Sequence, residues 1–242
     1  MEIQMKGLIA LVGAGEYLPV MDDVDRQLLS SVGTPGHAPR VACLPTAAGQ
    51  EGDESVGRWL GMGLEHFRAL GAEVEAVPII DRISAEDPQY DSVLESADLI
   101  YFSGGSPLYL YQTLQGSRAW ASAQRAWDRG AVYAGCSAGA MIMAKQIPNF
   151  RMPGSPAAQG FGVMPLTYIM PHFDQIPGPF KVMVALMRSS MKDSDLAVGI
   201  DEDTALVGRL GGEWKVMGKS KVHLITRKGS KSFGAGDAVS LP

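Results

Sequence analysis

The chain is poor in the residues that build metal sites, disulfide frameworks and membrane spans. Cysteine occurs twice in 242 residues, as Cys43 and Cys136. Both lie in apolar stretches that read as buried strands or strand ends, so two reduced thiols are expected and not a bridge. The four histidines, His37, His66, His172 and His223, are scattered, with no H-x-x-x-H pair. No metal is expected from that spacing, and no cofactor. The opening MEIQMKGLIALVGAG holds one short apolar run that stops at glycine. Such a run is too short for a signal-peptide core or a membrane span and suits a first strand. Charged residues make up 19% and the net charge is −5, with acids and bases interspersed. There is no basic stripe for nucleic acid and no polybasic arm for an anionic membrane, so a cytoplasmic protein without either partner is expected.

Apolar residues make up 46%, enough for a full core, and the length suits one α/β domain over residues 1–242. Strand-like runs alternate with amphipathic helical ones. Strands are predicted at Gly7–Gly13, Arg40–Pro45, Glu73–Ile80, Leu99–Phe102 and Ala131–Ala134. Helices are predicted at Met21–Ser31, Glu54–Leu70 (with Gly71 as its cap), Tyr90–Ser96, Pro107–Leu114 and Ser117–Arg129. Strands separated by such crossovers pair in parallel, giving a doubly wound sheet whose site lies at the carboxyl ends of the strands. Three glycine-rich turns fall on that edge: Gly13–Gly15, Gly104–Gly105 and Gly135–Gly139. Four short strands between about 197 and 228 suggest a small antiparallel extension, and residues after Gly229 read as a loose tail.

Gly135-Cys136-Ser137-Ala138-Gly139 matches G-x-S-x-G between the AVYA strand and the AGAMIMA helix, predicted over Ala138–Lys145. In such an elbow the glycines let strand and helix approach, and a cramped turn lifts the serine oxygen off the sheet edge. The amide of Ala138 and the helix N-terminus then face a developing oxyanion. The competing reading is a tight turn with a structural serine. Cys136, one residue off the centre, is predicted to point into the core. Gly13-Ala14-Gly15 lacks the third glycine of a dinucleotide fingerprint, position 18 being Leu.

The blocks YFSGGSPLYL, AGCSAGAM, GFGVMP followed by PHFD, and GIDEDTALV resemble, in that order, the dipeptidase E and cyanophycinase family of serine peptidases. The resemblance runs from about Leu8 to Leu224. It implies a flavodoxin-like, class I glutamine amidotransferase-like fold and hydrolysis of a small peptide or amide. It implies Ser137 as nucleophile, His172 as general base, and an amide of the Gly104-Gly105 pair, that of Gly105, completing the oxyanion hole with Ala138. Gly104 and Ser106 become candidate substrate contacts. An imidazole is the base such a hydroxyl needs, provided it lies within hydrogen-bond reach.

The family's acid lies between serine and histidine, yet residues 138–171 contain no Asp or Glu. The candidates to orient His172 are therefore Asp174, the acids Asp201, Glu202 and Asp203, or an amide such as Asn149 or Gln159. Cyanophycinases carry charged substrate contacts flanking the histidine; here those places read Met170-Pro171 and Gln175-Ile176-Pro177. Lys145 and Arg151 could hold a substrate carboxylate, although a solvated face is the commoner fate of such residues. Two rival readings follow: a pocket that binds a small ligand without turnover, and an amidotransferase-like site using Cys136. A homodimer is possible, with Trp120 and Trp127 lining an interface or packing the core.

Overall fold

The computed structural model describes residues 6–32, 36–148, 157–176, 184–185 and 187–242. In chain order the first half contains β1 (Ile9–Val12), α1 (Asp22–Val32), β2 (Arg40–Leu44), α2 (Asp53–Ala69), β3 (Glu73–Ala76), α3 (Arg82–Ala85), α4 (Asp91–Ser96), β4 (Leu99–Phe102), α5 (Pro107–Leu114), α6 (Arg118–Arg129), β5 (Val132–Cys136) and α7 (Ala138–Met141). There follow β6 (Gln146–Ile147), β7 (Ala158–Gln159), β8 (Tyr168–Met170), β9 (Ala197–Ile200), β10 (Thr204–Gly208), β11 (Trp214–Gly218), β12 (Lys221–Thr226), β13 (Gly229–Gly234) and β14 (Ala238–Val239).

The main sheet runs β14-β11-β10-β1-β5-β4-β2-β3. Its β1-β5-β4-β2-β3 part is parallel. Every residue of β1, β4 and β5 is buried, as strands covered by helices on both faces must be. One core layer gathers Ile9, Leu44, Phe102, Tyr133 and Trp214. The other gathers Val12, Tyr17, Cys43, Phe67 and Tyr101. Trp120 and Trp127 belong to the first layer. Trp120 stacks on Phe161 at 4.1 Å, and the Trp127 indole donates to the Gly7 carbonyl at 2.9 Å.

The mostly parallel, helix-flanked sheet is the expected fold, with three local differences. The extension divides: β10, β11 and β14 widen the main sheet antiparallel beyond β1, while β13-β12-β9-β8 forms a second sheet in which β8 and β9 are parallel. The tail is not loose, because β13 pairs with β12 over six positions. It lacks an apolar signal because it is a polar edge strand, an arrangement that discourages further pairing. The helix after the elbow stops at Met141, short of Lys145. The carbonyls of Ile142, Met143, Ala144 and Lys145 instead accept from the amides of Phe161, Met164, Gly162 and Gly160. The Gly160-Phe161-Gly162 turn thus docks on the segment that would have continued the helix.

Candidate active site

The turn after β5 is sterically forced. A Cβ on Gly135 would lie 2.5 Å from the Gly139 carbonyl group, and one on Gly139 would lie 2.7 Å from the Phe102 carbonyl oxygen. Strand, turn and helix therefore meet only because both positions are glycine. Ser137 between them adopts φ 48°, ψ −102°, a region that side-chain-bearing residues occupy only when the surroundings over-determine them. Its amide donates to Val12 and the Tyr133 hydroxyl donates to the Gly139 carbonyl at 2.7 Å, which tie the turn to the sheet.

His172 follows β8, at φ 50°. Its Nε2 lies 3.1 Å from Ser137 Oγ and its Nδ1 lies 2.8 Å from Glu202 Oε1. Ser137, His172 and Glu202 thus form one continuous chain of contacts across the ends of three strands, β5, β8 and β9. The four non-glycine residues with positive φ among the described residues are Tyr17, Ser137, His172 and Asp203. All sit in turns on this edge, after β1, β5, β8 and β9, which is where stored strain is expected at a working site.

The three consecutive acids separate by direction. Asp201 is buried, taking Ser220 Oγ at 2.8 Å, the Lys221 amide at 3.1 Å and His223 Nε2 at 2.9 Å. Glu202 turns outward to His172. Asp203 lies against Gly15, where a Cβ would come within 2.6 Å of its Oδ1. Asp174 does not touch the imidazole; its Oδ1 accepts the Glu202 amide at 2.9 Å and so holds the acid's backbone. It sits in a single 3-10 turn, Phe173–Gln175. Gln159 is exposed on β7, paired with Gln146 away from this chain of contacts. Asn149 and Arg151 lie outside the described residues, and Lys145 is exposed.

Partial burial pushes the Asp174 carboxyl up, but the Glu202 amide and the Gln175 side chain donate to it and leave it below the usual carboxylate range. A depressed folded-state pKa means that its contribution is complete above about pH 4 and drains away as pH falls through the lowered value. Asp174→Asn is therefore expected to melt below the wild type near neutrality, with the gap closing in acid. Melting midpoints at about pH 7, 5 and 3 measure this, and a gap that widens in acid would contradict it.

The opposite wall is the Gly104-Gly105 turn. A Cβ on Gly104 would lie 3.4 Å from Ser137 Cβ, so the glycine pair faces the elbow directly. Gly105 has φ 140°, and a Cβ there would lie 2.4 Å from the Ala47 carbonyl oxygen. Ser106 caps α5 by accepting from the Tyr109 amide at 3.4 Å, and its own amide donates to Ala47. The amides of Gly105 and Ala138 donate to no protein acceptor among the described residues. Cys136 is fully buried and its thiol donates to Glu16 Oε2 at 2.9 Å. Burial, then the Glu16 carboxylate, push that thiol's pKa well up, which suppresses the thiolate an attacking cysteine needs.

Sequence reasoning missed Glu16, which it met only as the residue after Gly13-Ala14-Gly15. Those glycines serve close packing: a Cβ on Gly13 would lie 2.1 Å from the Asp201 carbonyl oxygen. Among the described residues no three His, Cys, Asp or Glu side chains are placed to hold a metal ion, and no helix is long and apolar enough to cross a membrane.

The model of peptidase family S51 matches residues 9–212. A peptidase from an acI-B1 Actinobacterium, known from its crystal structure, is 34% identical and superposes with a TM-score of 0.87, covering 99% of this chain and 98% of its own. A putative peptidase E protein from Listeria monocytogenes superposes at 0.63 with 20% identity over 89% of this chain and 100% of its own, a likeness of fold. Cyanophycinase from Synechococcus elongatus is 27% identical over 236 residues, spanning 91% of this chain and 68% of the cyanophycinase.

Proposed function

We propose that this chain, which belongs to peptidase family S51, is a serine-type hydrolase that cleaves a small peptide or amide through Ser137, His172 and Glu202. The reading is carried by the contacts on the two ring nitrogens of His172, 3.1 Å to Ser137 Oγ and 2.8 Å to Glu202 Oε1. With the Nδ1 proton donated to Glu202, Nε2 is left as the acceptor that faces the hydroxyl. Ser137 Oγ attacks the acyl carbon while its proton passes to Nε2. The carbonyl oxygen, now anionic, accepts from the Gly105 and Ala138 amides. Collapse breaks the C–N bond, and His172 returns the proton to the leaving amine. Water then repeats the cycle on the acyl-enzyme and frees Ser137.

The binding-only reading arose from the missing acid between serine and histidine, and the Glu202 contact on His172 favours the catalytic reading over it. The same contacts, with Cys136 buried as a thiol, argue against cysteine chemistry. The names of the curated relatives point to cyanophycin, but where that class carries charged contacts this chain has buried Met170 and the run Gln175-Ile176-Pro177. A small peptide or amide without a strict charge requirement suits a sequence that lacks those charges.

The test is covalent. A serine-directed fluorophosphonate should modify the wild type at Ser137, located by peptide mass spectrometry, and leave Ser137→Ala unmodified. Equal labelling of the two proteins would sink the proposal.

A further inference from the structure

Glu16 is a buried carboxylate that the chemistry above leaves unused. It is 8% exposed, and its two oxygens reach the two walls of the site. Oε1 accepts the Gly104 amide at 2.9 Å, and Oε2 accepts the Cys136 thiol at 2.9 Å. The first partner opens the glycine turn, and the second immediately precedes Ser137. A Cβ on Gly104 would lie 2.9 Å from Glu16 Oε1 and 3.4 Å from Ser137 Cβ, so carboxylate and nucleophile flank the same glycine.

The seat of this carboxylate is itself rigid. Gly15 at φ 88° and Tyr17 at φ 63° bracket it. The Tyr17 ring is locked against Tyr101 at 4.9 Å and against Phe67 and His66 at 6.0 Å each. A carboxylate withdrawn from water is costly unless its oxygens are satisfied, and here they are satisfied by an amide and a thiol belonging to the site.

We infer that Glu16 is a positioning residue for the oxyanion site, pinning the Gly104 amide so that the Gly105 amide is the one presented to the tetrahedral oxygen. The inference rests on the acyl-transfer reading above. A glycine pair is conformationally permissive, and left free its peptide planes would sample several orientations. Glu16 pins the entry through Gly104, and the Ala47 carbonyl pins the exit through the Ser106 amide at 2.8 Å. Between those two anchors Gly105 keeps an uncommitted N–H. Pre-orientation of this kind is what gives an oxyanion donor its effect, because nothing has to reorganise as charge develops.

Two substitutions separate acceptor geometry from bulk. Glu16→Leu fills the space without an acceptor. Glu16→Gln keeps a carbonyl oxygen for Gly104 and presents its NH2 to the Cys136 sulfur. The rate of Ser137 modification by a fluorophosphonate should fall about 10²–10³-fold in Glu16→Leu, the size of losing one oxyanion donor. Affinity for phenylboronic acid, whose adduct places a tetrahedral oxygen in the same hole, should fall in step. Glu16→Gln should stay within about tenfold of wild type on both measures. In its 1H–15N spectrum the Gly104 amide proton should move upfield, as a charge-assisted bond becomes a neutral one. A folded Glu16→Leu that labels at the wild-type rate overturns the inference. So does a Glu16→Gln as slow as the leucine variant, or one whose Gly104 amide does not move. If the leucine variant fails to fold, the labelling rate and the Gly104 shift of Glu16→Gln carry the test, and a Glu16→Gln more than about tenfold slower than wild type, or with an unmoved Gly104 amide, overturns the inference. If the wild type labels no faster than Ser137→Ala, the acyl-transfer reading fails instead, and the amide shift still reports whether Glu16 holds Gly104.

Discussion

Replacing His172 with alanine is expected to lower kcat for amide hydrolysis by about 10⁶-fold, the scale seen when the base of a serine triad is removed. The imidazole is the group within 3.1 Å of Ser137 Oγ able to take its proton, and it also bridges to Glu202. Its loss uncouples all three residues at once, and groups acting as a unit fail together. KM should change little, because the ring acts on the proton in flight and not on the resting substrate. The backbone at φ 50° offers a control. Asn tolerates left-handed conformations better than Ala, so His172→Asn should fold at least as well and be equally inactive. Steady-state kinetics with melting curves on both variants make the comparison. An alanine variant that keeps more than about a hundredth of the wild-type kcat would remove His172 from the mechanism.

The second large effect is expected at Glu202. Glu202→Gln keeps the shape, but the amide can turn its NH2 towards Nδ1 and favour the ring tautomer whose proton faces Ser137. For a buried acid that error costs about 10⁴-fold in kcat. Here the imidazole side chain is 45% exposed and the carboxylate 40%. Water can therefore stand in at Nδ1, and screening weakens the charge, so a loss of about 10³-fold is expected. The double variant His172→Ala, Glu202→Gln should be no slower than His172→Ala alone, because the acid acts only through the ring. Additive losses in that cycle would mean that Glu202 touches the substrate in some other way.

How far the site was legible follows from where its determinants lie along the chain. The elbow is local. Gly135, Ser137 and Gly139 fall within five residues, and the clashes a side chain would make there are with the turn itself and with the neighbouring β4 strand. The Gly104-Gly105 turn is legible for the same reason, as a glycine pair closing a buried strand. Glu202 was visible only as one of three consecutive acids. Nothing in Asp201-Glu202-Asp203 states which one faces outward. The choice is made by β9 pairing with β12, which turns Asp201 towards Ser220, Lys221 and His223, and by Asp174 taking the Glu202 amide. Asp174 was a candidate by its nearness to His172 along the chain, whereas the chain coils into a 3-10 turn whose Asp174 carboxylate takes the Glu202 amide and does not touch the ring.

Glu16 marks the limit more sharply. It lies 88 residues from Gly104 and 120 from Cys136, and no periodicity connects such positions. By itself the order of residues determined the alternation of helix and strand, the sheet edge on which the turns would gather, and the serine raised from a glycine-flanked bend. Each of these follows from hydrophobic period and from steric limits acting over a few residues. The partner of the imidazole and the carboxylate beneath the glycine pair were decided only when distant strands settled into register. A shift of one residue in that pairing reverses the face to which every side chain points.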